Sequence, residues 1–262
     1  MTRTSHYCGD YTALTTTKWG AKIYVATRDT SLAPHIMVEG ASEPWVTNAI
    51  AAKLQENKGC LFIDVGANVG WYTLLAAGMF ASHVYAFEPN PRMVQLLRKT
   101  ISVNGHKDRV TLTPAACGSE AGTAVLDVNP DEAGGAHLRP LFFEPSDKDC
   151  RVVRLDDVVL ARHLSDEPRV KLLPVIIKID VEGFEPQVIA GAADLMALHP
   201  ILFIEHHRDE AHTALLQSLQ DQGYILQHVA HTGHPGAPLS VTDASALEDA
   251  ETILCVPRKG GT

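Results

Sequence analysis

Residues 60–78, CLFIDVGANVGWYTLLAAG, decide the fold. The first six residues form a continuous apolar run short enough for a strand buried on both faces. DVGANVG follows as a glycine-spaced turn, and WYTLLAAG opens a helix. In an open α/β sheet, ligands bind outside the carboxyl ends of the strands, and this turn sits at such an end. Gly66 and Gly70 permit backbone conformations and close approaches that a side chain would block. The backbone amides of the turn and helix start, Ala67 among them, form a nest for an anionic group such as a carboxylate.

The spacing argues against a dinucleotide. That fingerprint reads GxGxxG, whereas here Asn68 stands between Gly66 and Gly70, which are four residues apart. Asp64 ends the strand before the first glycine; an acid there opposes a pyrophosphate and suits an ammonium or sulfonium cation. The next strand, HVYAFEPN, ends in Glu88, 24 residues after Asp64. A carboxylate at that place accepts hydrogen bonds from both hydroxyls of a ribose. A carboxylate nest, an acid near a cation and an acid for a ribose fit S-adenosylmethionine better than a nicotinamide dinucleotide.

Outward from this turn, strands and helices alternate. SHVYAFE is a strand, and NPRMVQLLRKTISVNG is a helix with Asn90 suited to the N-cap, Pro91 to the first position and Gly105 to the C-terminal end. RVTLTPAA, GTAVLDV and CRVVRL read as strands, LPVIIKID and ILFIEHH as further strands, and EPQVIAGAADLMAL and DEAHTALLQSLQDQG as helices. YILQHVA and ETILCVP follow each other as strands with no helix between them, which predicts an antiparallel end to a mostly parallel sheet. LDDVV is read as a helix start with Asp156, ahead of Asp157, at the N-cap. Upstream, AKIYVAT is a short strand and EPWVTNAIAAKLQEN a helix ended by Gly59. One core spans residues 59–262, and residues 1–58 form an N-terminal extension covering the acceptor side. Residues 129–149, rich in Gly and Pro, are expected to be an inserted loop or lid; His137 and Arg139 lie in it and are read as ordinary loop residues.

The chain has 262 residues, 45% of them hydrophobic, with a formal net charge of −9. Such acidity opposes sequence-independent nucleic-acid binding, which needs a basic face. No stretch approaches a membrane span, and the start of the sequence lacks the apolar core of a signal peptide. Five scattered cysteines read as reduced thiols, and a cytoplasmic location is expected. A homo-oligomer stays open.

FIDVGANVGWYT, VYAFEPNP, VRLDDVV, IIKIDVEGFEPQVIAGA and ILFIEHH, in this order between about Asp29 and His207, together resemble the FkbM family of S-adenosylmethionine-dependent methyltransferases. The resemblance implies the class I methyltransferase fold: a Rossmann-like, seven-stranded, mostly parallel sheet with helices on both faces and an antiparallel last strand. It also implies O-methylation of a small polar natural product, sugar or nucleoside. Asp64, Gly66, Asn68 and Glu88 would line the cofactor site, and Ala116 in PAACGS would lie near the adenine.

Methyl transfer to an alcohol requires alignment and removal of a proton. Lys178, Asp180 and Glu182 share parity in VIIKIDVEGFE, as do Glu205 and His207 in ILFIEHH, with His206 pointing the other way. Glu205 orienting a His207 base of ordinary pKa, or Asp180 taking the proton directly, are the two readings, with His206 as the fallback. Lys178 is read as a paired structural lysine, and Glu182 could also cap the following helix. A divalent metal such as Mg2+ held by Asp180, Glu182 and Glu205 is an alternative. His228, His231 and His234 are taken as loop residues rather than zinc ligands. N-methylation, a nicotinamide-dependent oxidoreductase and a non-catalytic cofactor-binding module are the competing functions.

Overall fold

The computed structural model describes residues 4–129, 132–140, 149–163, 173–229, 235–240 and 251–258. The chain opens with β1 (His6–Tyr7), β2 (Thr12–Thr16) and β3 (Lys22–Ala26), a small antiparallel sheet. Helices α1 (Ala33–Glu39) and α2 (Pro44–Glu56) follow, then β4 (Leu61–Val65), α3 (Trp71–Gly78), β5 (His83–Phe87), α4 (Pro91–Val103) and β6 (Val110–Thr113). The middle holds β7 (Ala116–Cys117), β8 (Gly122–Asn129), β9 (Glu132–Pro140), β10 (Asp149–Val153) and α5 (Leu155–His163). The chain then runs through β11 (Val175–Ile179), α6 (Glu185–Ala190), α7 (Ala193–Met196), β12 (Ile201–His206) and α8 (Glu210–Asp221). It closes with β13 (Tyr224–Val229), β14 (Pro235–Leu239) and β15 (Glu251–Pro257).

The main sheet has the order β14-β13-β15-β12-β11-β4-β5-β6. The strands β12, β11, β4, β5 and β6 are parallel, and β15 enters between β12 and β13 antiparallel to both. This is the expected seven-stranded sheet with its reversed last strand, extended at one edge by the short β14. Period-two alternation sorts the side chains of each strand between two layers. Phe62, Val84, Ile176 and Phe203 face α2, α3 and α4, while Ile63, Tyr85, Ile177 and Ile204 face α6, α7 and α8. Asn90 caps α4 as expected, its side chain accepting from the Arg92 amide at 2.9 Å.

Several local expectations give way. RVTLTPAA is two strands in two sheets, with β6 on the main sheet and β7 pairing with β10; Pro114 falls at the break. Residues 132–140, expected as loop, form β9 in a hairpin with β8; residues 130–131 and 141–148 lie outside the described residues. His137 and Arg139 are therefore strand positions, not loop residues. The helix expected over 185–198 is broken into α6 and α7 at Gly191. A Cβ there would lie 2.0 Å from the Gly118 carbonyl oxygen, so the close approach of two backbones fixes the break. Asp156 is not the cap of its own helix. Its carboxylate accepts from the Asp194 and Leu195 amides, both at 3.1 Å, and so caps α7 instead. His228 belongs to β13 and contacts Glu251 at 3.1 Å, whereas His231 and His234 lie outside the described residues.

The N-terminal segment is richer than the sequence signals suggested, with β1, β2 and α1 added to the one strand expected before residue 42. Its Ala13, Ile23, Val25 and Ile36 join Ile50, Phe62, Leu74 and Leu97 in a single apolar cluster. Among the described residues, no helix is long and apolar enough to cross a membrane.

Candidate methyl-donor and acceptor cavity

A cavity of about 590 Å³ opens at the carboxyl ends of β4, β5 and β11, within the range of small-molecule sites. Gly66, Ala67, Asn68, Glu88 and Ala116 line one part of its wall, and Asp180, Glu182 and Glu205 line another. The wall does not include Asp64, Gly70, His206 or His207.

The turn after β4 explains this division. Gly66 has φ 81°, and a Cβ on it would lie 1.8 Å from the Asp180 carbonyl oxygen. The turns after β4 and β11 therefore touch backbone to backbone. Gly70, at φ 94°, instead gives way to Leu97 of α4, whose Cδ1 would lie 2.2 Å from an added Cβ. Gly70 thus packs closely against α4 and stands off the cavity wall. Asp64 is fully buried beneath the turn and accepts from Thr73 Oγ1 at 2.5 Å. Burial raises its pKa against the lowering field of Lys178. It thus stands behind the cavity wall, without direct contact.

Glu88 is held from two sides. Oε2 accepts from the Asn68 amide at 2.7 Å and Oε1 from the Asn90 amide at 2.8 Å. The Gly66 and Ala67 amides both donate to the Phe87 carbonyl at 3.0 Å. The three amides from Gly66 to Asn68, expected to cradle a carboxylate, are therefore engaged within the protein. Burial lifts Glu88 to about 7 in spite of its two amide donors. Ala115, Ala116, Cys117 and Leu126 make an apolar wall beside it. The Cys117 thiol is buried, and burial pushes its pKa well above the ordinary thiol value.

On the other side, Lys178 and Asp180 meet as their shared parity requires, Nζ to Oδ2 at 2.6 Å. Glu182 reaches the wall by a different route, because the strand ends at Ile179 and Glu182 takes a left-handed φ of 55°. It lies ahead of α6 and is not its cap. Burial alone would lower Lys178, but Asp180, Asp64 and Glu43 together keep it fully protonated. Burial likewise opposes the charge on Asp180, and Lys178 overrides it and holds the carboxyl below the usual range. Glu205 goes the other way: burial and the neighbouring Asp180 push it up to about 9.

His207 Nε2 lies 3.3 Å from Glu205 Oε2 and 4.0 Å from Glu185. The Glu205 carboxylate raises His207 to about 9, so it is not the ordinary imidazole expected. Glu205 cannot serve at once as a neutral partner of Asp180 and as the counter-ion of His207. The pair is a coupled unit that retains a proton through neutral pH. His206 is buried and off the cavity wall, its ring 6.0 Å from that of His212, which the His207 ring also approaches at 5.0 Å.

Sequence reasoning missed four supporting groups. Glu185, fully buried, accepts from the Val181 amide at 2.9 Å and contacts His212 Nε2 at 2.8 Å, forming a rigid backing for His207. Tyr72 donates to Glu43 at 2.7 Å, and Lys178 sits over the Tyr72 ring at 4.9 Å. The available signals were a polar-tipped aromatic in an otherwise apolar helix and an acid before the Pro44 helix start. Glu182, Glu205 and His207 offer donor atoms within 4.8 Å of one another, so His207 replaces Asp180 in the nearest approach to the expected metal set.

A family profile described as the methyltransferase FkbM domain matches residues 64–226. The methyltransferase sdnD of Sordaria araneosa is 27% identical over 152 residues, covering 49% of this chain and 59% of that protein. The hexuronic acid methyltransferase AglP of Haloferax volcanii is 25% identical over 146 residues, covering 55% of this chain and 54% of that protein. The chain thus spans little more than half the length of these curated relatives. Among solved structures, methyltransferase FkbM from Methylobacillus flagellatus KT is similar at 19% identity and TM-score 0.48, covering 76% of this chain and 43% of that one. An O-methyltransferase from Bacillus cereus, solved with SAH, is similar at 12% identity and TM-score 0.49, covering 86% of each chain.

Proposed function

The chain belongs to the FkbM methyltransferase family, and from that premise we propose that it transfers a methyl group from S-adenosylmethionine to a hydroxyl of a small polar acceptor. Glu88 carries the reading. It is a buried carboxylate on the cavity wall, fixed by two backbone amides, with a second lone pair left on each oxygen for the two hydroxyls of a ribose. The apolar wall of Ala115, Ala116 and Leu126 suits an adenine beside that ribose.

Once bound, the donor would supply a sulfonium methyl open to in-line attack by the acceptor oxygen, the thioether leaving with the electrons of the broken carbon–sulfur bond. Asp180, kept ionised by Lys178, accepts the hydrogen bond of the acceptor hydroxyl and aims its lone pair. Glu205, paired with His207, receives the proton as the new carbon–oxygen bond forms. Glu185 holds His207 toward Glu205. A proton acceptor at this place favours a hydroxyl over an amine, because a neutral amine attacks with its lone pair already free.

Mg2+ is the weaker reading. The gathered donors include an imidazole, which suits a softer ion, and Asp180 is already engaged by Lys178. Turnover is therefore expected to survive EDTA. Isothermal titration with S-adenosylmethionine and its demethylated product tests the donor assignment. Saturable binding of both is expected, and heat from neither would remove the reading.

A further inference from the structure

We infer that Glu43 is a positioning residue for methyl transfer: it anchors the Tyr72 ring against Lys178, and through Lys178 it sets the Asp180 carboxylate on the cavity wall. This role rests on the methyl-transfer reading above, in which Asp180 takes the acceptor hydroxyl. Glu43, Tyr72, Lys178 and Asp180 all line the cavity. Glu43 comes from the N-terminal segment, ahead of the residues 64–226 that match the family profile.

The backbone gives the first observation. Glu43 precedes α2 with φ 39° and ψ 65°, in the left-handed region. Glycine takes that conformation freely, whereas a residue with a side chain is strained in it. Strain of this kind persists where surrounding contacts over-determine it, and it clusters at functional sites. The Glu43 side chain gives nothing to the helix it precedes, since it makes no cap hydrogen bond. A fold that needed only a helix start here would be served by Gly, Ser or Asp. The carboxylate is turned to Tyr72 instead, accepting from its hydroxyl at 2.7 Å.

The second observation is how firmly that pair is set. Thr47 Oγ1 donates to the Ser42 carbonyl and accepts from Trp71 Nε1, both at 2.8 Å. Two successive residues of α3 therefore hold the turn that carries Glu43, Trp71 through Thr47 and Tyr72 directly. Tyr72 is buried, and Lys178 Nζ lies 4.9 Å from its ring centre. An aromatic face attracts an ammonium, and here it closes one direction to a long, flexible side chain. Lys178, also buried, has its Nζ 2.6 Å from Asp180 Oδ2. The contacts thus run unbroken from Glu43 to Asp180. Charge supports the same order, because Lys178 stays protonated against its burial through Asp180, Asp64 and Glu43 together. Without the bond to Glu43, the Tyr72 ring could turn, Lys178 would lose its stop, and Asp180 would lose its fixed place.

Calorimetry on the full chain with S-adenosylmethionine and S-adenosylhomocysteine tests this role without an acceptor. The two ligands differ by the methyl group and its positive charge. The ratio of their dissociation constants therefore reports on the carboxylate beside that methyl, Asp180 in the proposed reading. In Glu43→Gly the ratio is expected to move against S-adenosylmethionine at least about threefold, the scale expected when a charge pair lengthens by about an ångström. Cooperative melting should be retained, because glycine suits this backbone. Tyr72→Phe keeps the ring but not the bond and should reproduce the effect. Glu43→Gln keeps an acceptor for the Tyr72 hydroxyl and should return the ratio most of the way to the parent value. An unchanged ratio in Glu43→Gly or Tyr72→Phe, or an equally large change in Glu43→Gln, overturns the inference and leaves the donor assignment intact. Where Glu43→Gly does not fold, the contrast between Tyr72→Phe and Glu43→Gln decides. Failure of the parent chain to bind S-adenosylhomocysteine removes both.

Discussion

Glu88 concentrates the donor argument in one side chain. Replacing it with alanine removes the proposed ribose acceptor and orphans the Asn68 and Asn90 amides. A hydrogen bond to a charged group contributes about 1.5–3 kcal/mol. The dissociation constant of S-adenosylhomocysteine should therefore rise roughly 10- to 100-fold, measured by isothermal titration. The proposed proton acceptor makes a second prediction. Glu205 and His207 are both lifted to about 9, and a base works only after losing its proton. The ratio kcat/KM should climb about tenfold per pH unit below that value and level off near pH 9. The kcat limb should lie at lower pH, because a bound sulfonium favours the ionised carboxylate. A flat profile from pH 6 to 9 would exclude the Glu205–His207 pair as the acceptor of the proton. The identity of Glu88 and Asp180 as wall residues was legible in the sequence, since strand ends and parity are local properties. The perturbed His207 was not, because its shift comes from Glu205, and its backing comes from Glu185 and His212 on α6 and α8.

At the scale of elements, the β4–turn–α3 unit was readable because an apolar run, a glycine spacing and a helix opening coincide within nineteen residues. What the sequence hid was the reason for each glycine. Gly66 admits the Asp180 carbonyl and Gly70 admits Leu97, contacts made across the fold. Gly66→Ala combines a left-handed φ with a backbone clash at 1.8 Å, costs that together reach about 3 kcal/mol. Urea denaturation should show that loss, and cofactor binding should weaken with it because the turn and Asp180 move together. The same logic accounts for the broken helix at Gly191 and for Asp156 capping α7. Both depend on a partner about forty to seventy residues away, beyond the reach of any local pattern.

The whole molecule binds its N-terminal segment more tightly than the term extension implies. Arg92 of α4 reaches back to Asp10 at 2.8 Å, and the Asn104 side chain accepts from the Lys22 amide at 2.9 Å. Ile23, Val25 and Ile36 share the apolar cluster that holds Phe62 and Leu74. A chain beginning at residue 59 should lack a cooperative thermal transition and elute as aggregate in size-exclusion chromatography, since that cluster would open to water. The sequence identified the sheet, its reversed strand and the place of the cavity, but not β1, β2 and α1, whose short segments carry little periodicity. Under the proposed function the cavity would hold an alkylating agent beside its own sulfur, Cys117. Thiolates are the protein nucleophiles most readily alkylated, and only the deprotonated form attacks. Burial raises the Cys117 pKa and so keeps the thiol in its unreactive protonated form, and S-methylation of Cys117 on incubation with S-adenosylmethionine is expected to be absent by mass spectrometry.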